Sequence, residues 1–425
     1  MSQTSEILDQ DVVVIGAGAA GIAAGLRLAQ SQLRFLIIEG RSRMGGRAAT
    51  MIVGGYPLDL GCGWLHSADR NPWTVRLAES GFSIDKTPPG WQGQSLDLGF
   101  SPQDQEAFGE AWGAFYAKMA AAGDEPHDKP AACLLEPGGP FNSLLDAIST
   151  YVSGVELDRL SVQDMLRYAD SGVNWRVVEG YGAGIVAQAT DARRQALPVK
   201  LGCHVSRIDH SGPDLRIVTA SGTLRARAVI VTVPPNLLVS EKLVFDPPLP
   251  EKSAAAEGLP LGLADKLILK IDQPDFLPKD GHLIGRTDRV ATAGYHLRPF
   301  GRDLIEAYFG GSLAGALENA GEAGFFSFAC DELVNLFGSE IRSRLHPLVH
   351  TAWGEDPYAR GAYSYALPGQ ADARAKLAAA VEDRILFAGE ACSTQDFSTA
   401  HGAYLTGTKA AEDVVAILAE LSGRG

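Results

Sequence analysis

A carboxylate, two glycine-rich turns, a strand lysine and a cluster of aromatic side chains are the residues whose types and spacing could do chemistry here. Gly16-Ala17-Gly18-Ala19-Ala20-Gly21 lies between a β-branched run and an Ala- and Leu-rich one. In such a turn Gly16 permits the tight bend, Gly18 lets backbone approach a pyrophosphate, and Gly21 allows close helix–strand packing. The helix it opens offers unpaired N–H groups and a positive dipole end to phosphate. Alone, the pattern also suits a turn that binds nothing. Glu39 ends the next apolar run, where its carboxylate can accept hydrogen bonds from both ribose hydroxyls and would repel a phosphorylated ribose. Arg43-Met44-Gly45-Gly46-Arg47 follows at once, bringing backbone and guanidinium groups toward a second phosphate. A diphosphate held from two sides points to FAD rather than NAD.

Three further features carry chemistry only in context. Lys266 opens the run KLILKI, where period-two alternation puts Lys266 and Lys270 on one face and Leu267, Leu269 and Ile271 on the other. By composition this is a solvent-facing pair of lysines. Trp353, Tyr358, Tyr363 and Tyr365 cluster, which usually means core packing. Glu390 follows an apolar run and precedes a helical stretch, a position that favours ligand contact over an idle surface turn.

These residues need elements to hold them. Val12–Ile15 is a strand buried on both faces, residues from about Ala19 to Gln30 a helix, and Arg34–Glu39 a second buried strand, making one βαβ unit with parallel strands. Strand character returns in HVSRI, LRIVTA and AVIVTV between residues 200 and 233, and ends at Pro234-Pro235. A helix is expected around 325–337, a strand over Arg384–Ala388, and a last helix from about Ala400 to Leu421. The fold class is therefore α/β, with a Rossmann-type FAD-binding domain assembled from residues 6–75, 196–270 and 356–425. Residues 76–195 and 271–355 are expected to form an interleaved α+β substrate domain.

The chain resembles the flavin-containing amine oxidases, which include monoamine and polyamine oxidases and flavin-type histone lysine demethylases. The resemblance rests on GAGAAG (16–21), RMGGR (43–47), DLGCGWLHS (59–67), VIVTVPPNLL (229–238), DPYARGAYSYALPG (356–369) and LFAGEACSTQDFSTAHGAYLTGTKAA (386–411). The last motif looks most like the polyamine oxidase and demethylase branch. The resemblance implies flavin contacts from Gly61, Cys62, Gly63 and Trp64, adenine contact from Val205, and pyrophosphate or ribityl contacts from Gly389 and Glu390. It also assigns Ala20, Arg41, Gly46, Arg47, Trp353, Thr399 and Ala400 to the cofactor. Lys266 is implied to be catalytic, holding a water against the flavin. Tyr363 would form one wall of an aromatic cage and Thr399 would stand where monoamine oxidases have a second tyrosine, leaving the cage half open. Trp353 and His66 would also meet substrate. Ala362 replaces the cysteine that carries a covalent flavin in monoamine oxidases, so FAD is expected to be bound noncovalently. The implied reaction oxidises an amine C–N bond to an imine, with dioxygen reduced to hydrogen peroxide.

Composition narrows the alternatives. The chain has 425 residues and a net charge of −14, so nucleic acid is not an expected partner. Cys62, Cys133, Cys203, Cys330 and Cys392 lack metal-ligand spacing, which suggests reduced thiols in the cytoplasm and no metal. No apolar run reaches the ~18 residues of a membrane span. A small-molecule amine and dioxygen are the expected partners, in a monomer or homodimer. The competing functions are an L-amino acid oxidase, with Arg298 or Arg360 as carboxylate clamp, a desaturase, an NAD-dependent dehydrogenase, or a flavin-binding interaction module without catalysis.

Overall fold

A computed structural model describes residues 9–123, 125–191, 196–240 and 242–423. The expected domain limits at residues 6, 195 and 425 lie outside these. The elements that build the site are strand β1 (Asp9–Ile15), helix α1 (Ala19–Leu28), strand β2 (Phe35–Ile38), helices α2 (Pro102–Ala122) and α3 (Asn142–Ser153), strands β3 (Gly222–Val231), β4 (Ala264–Ile271) and β5 (Leu304–Gly310), helix α4 (Gly311–Phe337), strand β6 (Leu345–His350) and helix α5 (Ala400–Gly423).

β1 sits in the middle of an eight-stranded sheet, parallel to β2 on one side and to β3 on the other. Val12, Val13 and Val14 have no exposed surface, as befits a strand covered on both faces. Burying each is worth roughly 1.5–3 kcal/mol. Val205–Asp209, Leu215–Thr219 and Val244–Asp246 extend the sheet beyond β3, and Ile385–Phe387 pairs β3 in parallel. The strands that flank β1 thus come from chain segments far apart in sequence.

The glycine turn after β1 is dictated by backbone contact. Gly16 has φ +106°, and a Cβ on Gly21 would fall 1.8 Å from the Gly16 carbonyl oxygen. Only glycine lets α1 start this close to the strand. α5 packs on α1 at similar range, since a Cβ on Gly407 would lie 2.1 Å from Ala20 O.

The second sheet has five antiparallel strands in the order Gly281–Ile284, Gly294–Leu297, β5, β4, β6. Leu267, Leu269 and Ile271 face a core shared with Phe325, Ala329 and Leu333 of α4. The opposite face of β4 is not the solvent face that alternation suggests: Ile268 and Lys266 are both buried, and only Lys270 is exposed. Ile268 packs on Leu58 and Leu60, because the hairpin strands Thr50–Val53 and Tyr56–Asp59 lie over this side. β4 belongs wholly to this second sheet, so the domain limit expected at 270 belongs ahead of Ala264.

α4 is longer than the helix expected around 325–337. It begins at Gly311 and is broken at Gly321, whose φ of 67° and ψ of −167° are not helical, so two arms meet there. The other sequence-expected elements appear with ends shifted by a few residues: α1 stops at Leu28, β2 runs Phe35–Ile38, and α5 reaches Gly423. No helix among the described residues is long and apolar enough to cross a membrane.

Candidate active site

One cavity of about 1200 Å³ runs from the glycine turn at β1 to the aromatic residues of α2 and α3. Its volume exceeds the roughly 300–1,000 Å³ of an ordinary ligand pocket, leaving room for a dinucleotide and a second molecule. Every site residue expected from sequence lines it except Gly21. Gly21 lies beneath the turn and supports it through the close contact with Gly16 described above.

At one end the donors are mostly backbone. Gly18 caps α1 without a side-chain bond, so the first N–H groups of the helix are left for a ligand. Gly45 pairs with Gly18 as an isolated bridge, and Gly45 N–H donates to Ala17 O at 2.8 Å, so the two glycine motifs form one cradle. Glu39 is buried, accepting from Ala17 N–H and Arg41 N–H at 2.8 Å each. That fixes both carboxylate oxygens while leaving lone pairs for ribose hydroxyls. Val205 lines the same end. Gly389, with φ +142°, has open space where a side chain would stand. Uncapped helix N–H groups, a fixed ribose-type carboxylate and glycine-lined walls fit a flavin dinucleotide.

The arginines of this end are already engaged. Arg41 bonds Asp356 at 2.5 Å and lies over the Tyr358 ring. Arg43 folds onto its own loop, donating to Met44 O and Gly46 O. Arg47 donates to Glu390 at 2.9 Å and to Ala362 O at 2.6 Å. Glu390 also accepts from Ser364 N–H and Oγ–H and from Ser398 N–H. Burial works to raise its pKa, but Arg47 foremost, then Ser364 and Arg374, holds it below the ordinary glutamate value. The Arg47–Glu390 pair is therefore a clamp between distant segments, where sequence suggested a guanidinium reserved for phosphate.

Midway, Lys266 is 7 % exposed. Its Nζ donates to Asp59 O at 2.9 Å and pairs with Glu306 Oε1 at 2.7 Å. A Cβ on Gly63 would lie 3.4 Å from that Nζ, so the amine abuts the segment carrying Gly61, Cys62 and Trp64. Burial works against its charge, yet Glu306 more than offsets this and raises the Lys266 pKa. Burial likewise works to raise Glu306, and Lys266, then His296, holds it low. The pair stays ionised. Register explains the meeting: Lys266 is opposite Tyr308 and Ile268 opposite Glu306, so Glu306 is a diagonal neighbour of Lys266 on the same face.

Trp353 is held by Nε1–H to Leu60 O at 3.1 Å and by its backbone N–H to Asp265 Oδ1 at 3.0 Å. Burial, and then a hydrogen bond with Glu318, push the Asp265 carboxyl up. Tyr363 donates to Tyr151 O at 2.5 Å, and its hydroxyl oxygen lies 3.2 Å from that of Tyr308. Burial raises its phenol well above the ordinary value, so it stays neutral. Thr399 caps α5, accepting from Gly402 N–H and donating to Asp396 O. Ala400 follows it into the first turn and lines the cavity. Asn174 donates to Gly172 O, which turns its Oδ1 to His66 Nδ1 at 2.7 Å. Burial lowers the His66 pKa, so the ring is neutral with Nε2 as acceptor.

Burial holds the Cys62 and Cys392 thiols neutral, pushing that of Cys62 up and raising that of Cys392 to about 12. Ala362 lines the cavity, whereas Cys392 does not. Neither Arg298 nor Arg360 reaches it, and Arg298 is tied to Leu277 O. Among the described residues no cluster of His, Cys, Asp and Glu could hold a metal ion.

Sequence reasoning missed Glu306, Tyr308, Tyr151 and Trp91, all of which line the cavity. A signal existed for two of them. In LIEAYFG, Glu306 and Tyr308 are two apart on one face of an otherwise apolar strand, an unusual place for a carboxylate.

Comparison with known proteins gives a consistent result. The family model described as flavin containing amine oxidoreductase matches residues 139–415, more than half the chain, and one described as NAD(P)-binding Rossmann-like domain matches residues 14–80. Probable polyamine oxidase 4 of Arabidopsis thaliana is 26 % identical over 448 aligned residues, covering 97 % of this chain and 88 % of the relative. Lysine-specific histone demethylase 1 homolog 2 of the same plant is 26 % identical over 95 % of this chain and 58 % of its own. Wild-type putrescine oxidase bound to putrescine superposes with a TM-score of 0.81 over 97 % of this chain and all of that one, at 19 % identity, a likeness of fold.

Proposed function

Since the chain belongs to the flavin-containing amine oxidoreductases, and so oxidises amines with a flavin, we propose that the flavin is FAD held without a covalent bond and that dioxygen is its electron acceptor. In this proposal the segments around β1, β3 and α5 hold the cofactor, and the second sheet with α2 and α3 holds the amine. Overall, amine, water and dioxygen give a carbonyl compound, ammonia or a smaller amine, and hydrogen peroxide.

Bound FAD supplies the two-electron acceptor and the oxygen chemistry. The chain supplies position and charge. The α1 N-terminus and the glycine cradle would hold the diphosphate, and Glu39 the ribose. Gly61, Cys62, Gly63 and Trp64 would run along the flavin. Lys266 keeps a proton at Nζ beside Gly63 and can orient a water there. Trp353 and Tyr363 wall the site with fixed ring faces, which orient an amine without acting as bases. His66 Nε2 can accept a hydrogen bond from the amine. Thr399 leaves the side opposite Tyr363 open. The observation that carries this is the buried Lys266 Nζ, paired with Glu306 and set against Gly63 in the cavity that also holds Trp353 and Tyr363.

An amino acid oxidase needs a cation for the substrate carboxylate, and the arginines that line the cavity, Arg41 and Arg47, are engaged at the nucleotide end. Polyamines, which the names of the relatives carry, bring two or more ammonium groups and so test the chamber's charge. The test of the proposal has two parts. Acid precipitation should leave all flavin in solution as FAD; flavin in the pellet contradicts the noncovalent link. Aerobic turnover should yield peroxide in step with carbonyl product; oxidation without peroxide removes dioxygen as acceptor.

A further inference from the structure

Resting on the amine-oxidising site just described, we propose that the substrate is an amine with a single basic nitrogen on a bulky apolar body, and that polyamines are rejected. Beyond Lys266 and Tyr363 the chamber is walled by rings, among them Trp64, Trp91, Trp112, Tyr151 and Tyr308. Trp91 stacks edge-on to Trp64 at 4.5 Å, and Tyr151 meets Tyr308 at 6.3 Å. Trp91 keeps 42 % of its surface exposed, which is how a ring facing a cavity and its mouth should look.

The charge inventory points the same way. Among the described residues the acids lining the cavity are Glu39, Asp164, Asp170, Glu306 and Glu390. Glu39 and Glu390 serve the nucleotide end, as above. Asp164 is fully engaged by Arg374 Nε and Nη2 at 2.7 and 2.8 Å. Glu306 is matched by Lys266, with Arg176 as a further positive neighbour. Asp170 is exposed, and its Oδ1 accepts from Gly172 N–H at 3.0 Å. Among the described lining residues the negative charge left over is that of Asp170, which is exposed and near enough to His66 to act on it; the buried lining has none in surplus.

A polyamine entering with one nitrogen at the flavin would carry its other ammonium groups past these rings. Stripping an ammonium of water is costly even after relaxation. A ring face returns less than that cost. An arylalkyl or branched alkyl body has no such cost and gains by burying apolar area.

The test is anaerobic flavin reduction in the FAD-loaded protein, with phenethylamine compared against putrescine, spermidine and spermine. Phenethylamine is expected to exceed spermine in reduction efficiency by on the order of 100-fold. A polyamine that matches or exceeds it overturns the substrate class while leaving amine oxidation intact. Failure of every amine to reduce bound flavin overturns both. A second readout needs no turnover: cumylamine, which has no α-hydrogen, should raise the melting temperature, and spermine should not. The reverse result overturns the proposal. Tyr116→Glu places a carboxylate at a partly exposed position on the chamber wall. It is expected to raise spermine efficiency about 10-fold; no rise overturns the charge argument.

Discussion

The two ends of the cavity are built on different principles. The nucleotide end is made mostly of backbone: an uncapped helix start, two glycine turns that touch, and a carboxylate fixed by main-chain N–H groups. The substrate end is made of side chains from β4, β5, α2, α3 and the loops between them. Backbone sites need special φ angles and close approaches, so they tolerate few residues. Side-chain sites need only that the right groups converge, and many sequences achieve that.

The contrast can be broken or sharpened by substitution. The largest effect is expected at Gly21→Ala, where the new Cβ would lie 1.8 Å from Gly16 O. Loss of roughly 3 kcal/mol or more is expected, with flavin absent from the purified protein. Normal flavin content would show that the turn is less constrained than its geometry says. Lys266→Met should keep flavin content and lower turnover by on the order of 100-fold. Release of flavin instead would move Lys266 from the substrate end to the cofactor end.

Glu306→Gln should be milder, about 10-fold in turnover, and should change the pH profile. Wild-type activity should climb between about pH 6 and 9 as substrate amine loses its proton, and a flat profile contradicts neutral-amine binding. Glu306 raises the Lys266 pKa, so the ammonium persists at high pH in the parent. Removing the carboxylate lets Lys266 lose its proton at lower pH, and the alkaline limb should fall earlier. An unchanged limb would mean that the Lys266 charge is not used. Tyr308→Phe is the smallest: it removes one hydroxyl contact to Tyr363, worth about 1 kcal/mol, and should raise KM a few-fold with kcat nearly intact.

The legible parts of the sequence follow the same division. Val12–Ile15, the glycine turn, Glu39 and the Gly45-Gly46 turn announce themselves locally, and the structure brings Ile15, both glycine turns and Glu39 together on one cavity. Gly21 lies off the cavity, and its close contact with Gly16 is the helix–strand packing that the pattern reserves for its third glycine. Lys266 could be chosen over Lys270 only by resemblance, because burial of that strand face comes from the distant hairpin carrying Leu58 and Leu60. Glu306 and Tyr308 reach Lys266 through strand register, which one-dimensional alternation does not give. Arg47 shows the limit from the other side, since its partner Glu390 lies 343 residues away.

Rapid mixing of the FAD-loaded protein with an arylalkyl amine under anaerobic conditions tests the central claim most directly. Flavin absorbance should bleach at a rate that rises with pH, and admitting dioxygen should restore it with release of peroxide. Bound flavin that keeps its full absorbance against every amine tried would contradict the account.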